Sequence, residues 1–171
     1  MTFRMVLLDY GHGGIRDGAY QTHGKQYHFT DQTSPLSIYE GVVNRRIAAK
    51  LATMLIPHVR VFDVVANREL TAEYVAPETL TQADVSLSQR VANANAQRVD
   101  AVLVSIHANA IGNGIEGPSQ PARGASVYTS RGTTGADAVA TSVVDALDSV
   151  TPLRVRRDMS DGDADYEADF Y

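Results

Sequence analysis

The sequence predicts an α/β protein with a single open, twisted, mostly parallel sheet and helices on both faces. Three observations predict it. Strand-like and helix-like stretches alternate along the chain, as they do in layered α/β folds. The run "AVLVSI", residues 101–106, is near-continuously apolar and β-branched, the pattern of a strand covered on both faces. The 171 residues, 44% of them hydrophobic, are enough for one domain with a real core and too few for two.

The elements follow in order. Residues 4–9 read as the first strand, ended by the glycines of "GHGG". Residues 11–34 are rich in Gly, Thr, Gln and His without periodicity, so they read as one long loop, and such loops are usually functional. Residues 35–56 read as a helix. Val43, Ile47, Leu51 and Leu55 recur every four residues, Arg45, Arg46 and Lys50 face elsewhere, and Pro57 is the stop. Residues 59–65 are a second strand, followed by a polar connection over 66–85. Residues 86–97 form a helix opened by Ser86 and Gln89 in capping-box spacing. After the strand at 101–106 come a shorter strand at 124–129 and a helix at 135–150 with Val139, Val143, Ala146 and Leu147 on its apolar face. There is no internal repeat and no low-complexity linker.

Composition excludes several classes of function. With no cysteine, the chain has no disulfide, thiolate zinc site or thiol nucleophile, and any metal must be held by His and carboxylate. A net charge of -5 and a pI near 5.4 oppose nucleic-acid binding, which normally leaves a basic footprint. No apolar run approaches the roughly 18 residues of a membrane span. The N-terminus shows no secretion signal, which implies synthesis in a cytoplasm or a mature fragment. Arg154, Arg156 and Arg157, and the acidic run from Asp158 to Asp169, read as solvated surface.

Ligands of open α/β sheets bind outside the carboxyl ends of the strands. His12 follows the carboxyl end of the first strand, and His107 follows that of the strand at 101–106. If the two strands are parallel, both histidines emerge at one sheet edge. His23, His28 and His58 lie in polar loops or at a helix end and read as ordinary surface. A cysteine-free zinc site needs a third ligand, usually a carboxylate. The candidate is Glu40, near the start of the first helix, where an acid would by itself merely favour the helix dipole. Together, His12, Glu40 and His107 make the His₂Glu set of an open, catalytic zinc centre, which lowers the pKa of bound water to about 7. The glycines around His12 are expected to supply the positive φ and the empty space that this turn needs.

Four motifs then occur in order: "LLDYGHGG"; Glu40 with Asn44, Ala48, Leu51 and Leu55; Leu87 with Arg90, Ala92 and Asn93; and "SIHANA" at 105–110. They resemble the motifs of the zinc-dependent N-acetylmuramoyl-L-alanine amidases, the family of bacterial autolysins and phage endolysins. "ARGASVYTS", residues 122–130, is similar to the strand that follows in that family. The resemblance implies Zn²⁺ held by His12, Glu40 and His107. It also implies hydrolysis of the amide between the lactyl group of N-acetylmuramic acid and L-alanine of the stem peptide. Asn109 would orient substrate or brace its loop, or serve only as a turn residue.

The family pattern continues with a late strand that carries a general acid–base glutamate, after a segment similar to "NFYVLR". Here the chain closes "DADYEADFY". The reading is therefore a catalytic domain over 1–171 that lacks its last strand and helix, with the family glutamate beyond Tyr171. Glu167 is the weak candidate inside the chain, and Asp163 and Asp165 are no better. The expected partner is peptidoglycan, with a phage or cell-wall assembly as a further candidate, and with neither nucleic acid nor membrane. The expected setting is the cell wall or periplasm, reached by a phage lysin made in the host cytoplasm. Two alternatives remain: a non-catalytic module binding metal and peptidoglycan, and a related zinc peptidase with another amide substrate.

Overall fold

The computed structural model describes residues 3–29, 36–97, 99–108 and 124–168. The chain divides into two compact units, residues 2–110 and residues 111–171 with Met1.

In the unit 2–110, β1 (Met5–Asp9) is followed by two small hairpins, β2 (Ile15–Arg16) with β3 (Ala19–Tyr20), and β4 (Gln26–Phe29) with β5 (Leu36–Tyr39). Then come α1 (Glu40–Leu55), β6 (Arg60–Asp63), β7 (Arg68–Glu69), a 3₁₀ turn at Ala72–Tyr74, α2 (Leu87–Asn95) and β8 (Ala101–Ser105). The four-stranded sheet has the order β7-β6-β1-β8. β1 runs parallel to both β6 and β8, and β7 is antiparallel to β6, so the sheet is mixed. All five residues of β1 are buried, as expected of a strand with a neighbour on each side. The parallel register sets Asp9 against Ser105, which brings the carboxyl ends of β1 and β8 level.

Several expectations need correction. Residues 11–34 are not one loop. The alternating, aromatic and β-branched residues around 26–29 and 36–39 pair as a hairpin, so α1 starts at Glu40 and not at Pro35. The buried face of α1 is also different. Gly41, Asn44, Arg45, Ala48, Ala49 and Ala52 face inward, while Ile47 is 47% exposed. The small residues allow close approach: a Cβ on Gly41 would overlap the carbonyl of Gly13. Leu51 and Leu55 pack half-buried on the core, as expected. In α2, Ser86 caps the helix by accepting from the Gln89 amide at 3.3 Å. The Gln89 side chain instead donates to Asn93 Oδ1 at 2.9 Å, so the capping box is only half closed. β8 is not covered on both faces, since Leu103 is 52% exposed while Val104 packs on the core. It ends the strand order of its sheet.

In the unit 111–171, β9 (Tyr128–Ser130) pairs in parallel with β10 (Tyr166–Ala168), and α3 (Asp137–Val150) lies between them in sequence. The expected single sheet is thus a four-stranded sheet and a separate two-stranded pair among the described residues. Ala140 and Val144 are the buried positions of α3, whereas Val143 is exposed. The acidic run is not uniformly solvated, because Ala164 and Asp165 are buried. Arg157 does lie at the surface, paired with Asp145 at 2.9 Å and Asp148 at 3.2 Å. No helix among the described residues is long and apolar enough to cross a membrane.

Candidate metal centre

Three segments of the unit 2–110 bring their side chains to one point. His12 stands in the turn after β1, Glu40 is the first residue of α1, and His107 follows β8. One donor atom from each lies within 4.8 Å of the other two. Glu40 Oε1 is 3.3 Å from His12 Nε2 and 3.3 Å from His107 Nδ1. Both are at the long end of hydrogen-bond distance. They match the edge of a tetrahedron of zinc ligands, roughly 3.3 Å for bonds of about 2.0–2.1 Å. Two imidazoles and a carboxylate, with no thiolate, are the donor chemistry of an open zinc centre, so the residues present fit that ion. The two rings stand nearly perpendicular, at 88° with centroids 5.1 Å apart. Glu40 is buried, His12 half-buried and His107 exposed, so the cluster opens to solvent on the His107 side.

The backbone around His12 explains "GHGG" and corrects one expectation. The left-handed conformation falls on His12 itself, at φ 64°, and not on its neighbouring glycines. This is a strained state for a non-glycine residue. Three contacts hold it. The Gly11 amide donates to Asp9 Oδ1 at 3.1 Å, the Gly13 amide donates to Thr22 Oγ1 at 2.6 Å, and the His12 carbonyl accepts from Arg45 at 2.9 Å. The glycines supply space. A Cβ on Gly11 would strike the His107 ring, one on Gly13 would meet Gln21, and one on Gly14 would meet Gln82.

Arg45 and Asp9 are the supporting residues that the sequence reading missed. Arg45 is buried and points inward, contrary to expectation. It donates to the carbonyls of Thr81 and Gly41 at 2.8 Å as well as to His12, and it lies over the Tyr10 ring at 5.1 Å. Burial lowers its pKa from the usual guanidinium value, while nearby Tyr10, Tyr20 and Asp63 oppose that shift. Tyr10 in turn donates to Asp63 at 2.7 Å. Asp9 Oδ2 accepts from Arg90 of α2 and from the Ser105 hydroxyl at 3.0 Å, tying the ends of β1, α2 and β8 together just beneath both histidines. Arg90 belongs to the motif of Leu87, Arg90, Ala92 and Asn93, so the signal was present without a role. Glu40 is fixed by the Ala108 amide, which donates to Oε1 at 2.9 Å. Burial, followed by the His107 and Lys25 charges, pushes the His12 pKa below its usual value, and Glu40 and Asp84 pull the other way. A neutral ring keeps its lone pair free for a metal.

The model of the N-acetylmuramoyl-L-alanine amidase family matches residues 6–166. The chain belongs to that family. The protein is therefore an amide hydrolase of the cell wall, from a family that acts on peptidoglycan and is generally zinc-dependent. Comparison with the curated proteins and with the solved structures gave no match. In this amidase the other sequence candidates are not members of the three-residue group, or fall outside the described residues. Asn109 and the closing "DFY" fall outside them. His23, His28 and His58 are exposed, and His28 bonds Ser37 at 2.8 Å. Glu167 stands in β10 of the unit 111–171, where its carboxylate accepts from the Gly132 amide at 2.8 Å. Asp165 in the same unit accepts from the Thr129 hydroxyl at 2.6 Å.

Proposed function

We propose that this amidase is a zinc enzyme that hydrolyses the amide between the lactyl group of N-acetylmuramic acid and L-alanine of the stem peptide. His12, Glu40 and His107 would hold the ion. The convergence of these three donors, with both 3.3 Å separations on Glu40 Oε1, is the observation that carries the reading. When bound, zinc supplies Lewis-acid polarisation of the scissile carbonyl and a water of lowered pKa.

The protein's own residues supply placement. Glu40 brings a buried negative charge that offsets the cation, and the Ala108 amide fixes its orientation. Arg45 holds the backbone of His12, and the Asp9–Arg90–Ser105 cluster holds β1 level with β8. His107 is the exposed member of the three, the side from which a muramyl peptide would approach.

The test is product analysis on purified sacculi. Release of stem peptides beginning with L-alanine, abolished by chelator and restored by zinc, supports the proposal. Cuts inside the peptide would replace it with a zinc peptidase. Stoichiometric zinc with no release of peptide would replace it with a binding module.

A further inference from the structure

We propose that Asp163 and Asp165, together with the Thr129 hydroxyl, form a calcium site that fastens the segment entering β10 to β9. The site lies in the unit 111–171 and does not depend on the zinc reading.

The sequence sets acids at alternate positions, Asp161, Asp163 and Asp165 in "DGDAD". The segment bends, with Gly162 at φ 107°, and turns Ala164 and Asp165 inward. Asp165 is only 1% exposed, yet its Oδ1 has no hydrogen-bond partner, and the buried Oδ1 of Asp163 has none either. Buried carboxylate oxygens are strongly disfavoured unless something compensates them. The other oxygen of Asp165 accepts from Thr129 Oγ1 at 2.6 Å, which adds a neutral oxygen from β9 beside the two acids. Burial and the charges of Asp165, Asp161 and Asp137 together raise the Asp163 pKa. Two adjoining acids with unpaired oxygens call for a shared proton, an ordered water or a cation.

The donors choose the cation. All are oxygens, with no imidazole or thiolate, so the set suits a hard ion. Calcium accepts carboxylates and neutral oxygens in flexible geometry and completes its shell with water or carbonyls, whereas magnesium demands a near-ideal octahedron.

The experiment uses the full chain with zinc already saturating, so that the two metals are separated. CaCl₂ is titrated while the thermal midpoint is followed, and Tb³⁺ luminescence sensitised by the adjacent Tyr166 reports direct occupancy. The expected result is a midpoint that rises with calcium concentration and a Tb³⁺ signal that calcium displaces. Both effects should be lost in Asp165→Asn and Asp163→Asn and kept in His12→Ala measured without zinc. If Asp165→Asn does not fold, Asp163→Asn and the wild-type titration carry the test. A wild-type midpoint flat to about 10 mM CaCl₂, above the roughly 10⁻⁴–10⁻³ M of weak oxygen sites, overturns the proposal. A rise that survives in both Asn variants does so too. A midpoint that responds to acidification and not to calcium identifies a shared proton and likewise overturns it.

Discussion

The imidazole of His107 occupies the volume that a side chain on Gly11 would fill. A Cβ there would lie 2.5 Å from Nε2. The position of one candidate ligand is thus set by the missing side chain beside another. Gly11→Ala should push the His107 ring away from Glu40 and lower zinc affinity by about 10- to 100-fold, the range seen when the support of a ligand is disturbed. Competition against a chromophoric chelator measures this, and an unchanged affinity would show that the ring has room to shift without cost.

His12 holds a left-handed conformation that asparagine tolerates better than most residues. Metal-free His12→Asn should therefore unfold at the same denaturant concentration as wild type or a higher one, while zinc binding falls by about 100-fold or more. A stability loss above about 1 kcal/mol would mean that His12 packing outweighs its backbone strain.

The same histidine gives a pH dependence. Its folded pKa lies below the unfolded value near 6.5, so the folded state binds that proton less readily. Stability of the metal-free protein then rises with pH across the window just below about 6.5, and it is lost as the pH falls through that window. Denaturant midpoints compared at about pH 7.5 and about pH 5 should drop more for wild type than for His12→Asn. Equal drops would remove His12 as the source.

Arg45 donates to the carbonyls of His12, Gly41 and Thr81 from a buried position. Arg45→Met would fill similar space and leave the His12 and Thr81 carbonyls without their guanidinium donor, while the Gly41 carbonyl keeps the helical amide of residue 45. We expect a loss of about 1–3 kcal/mol for each carbonyl left unpaired. Zinc affinity should fall too, since the turn that carries His12 loosens. A denaturant midpoint within about 1 kcal/mol of wild type would contradict this.

The strand positions were legible because the runs at 5–9 and 101–105 are short, apolar and rich in Val, Leu and other strand formers, a pattern that marks a strand whether both faces are covered, as in β1, or not, as in β8. The inward face of α1 was not. Periodicity ranks side chains by polarity, so it chose Val43 and Ile47 over Arg45 and the alanines. The helix turned its small face to the sheet because Gly41 meets the Gly13 carbonyl and because three carbonyls await the guanidinium. The hairpin of β4 and β5 was missed for a related reason. Its strands are four residues each and largely exposed, and such short runs carry little periodic signal.

By itself the sequence determined the donor inventory, the absence of thiols, the strand ends at which two histidines emerge, and the motifs that mark the family. These depend on residue type and order along the chain, which sequence records directly. The tertiary structure alone decided that His12 is the residue bent into the left-handed state, that Gly11 makes room for His107, and that Arg45 and Asp9 brace the centre. Each of these depends on atoms tens of residues apart coming within a few ångströms. The parallel register of β1 with β8 and the packing of α1 set that proximity, and no local pattern encodes it.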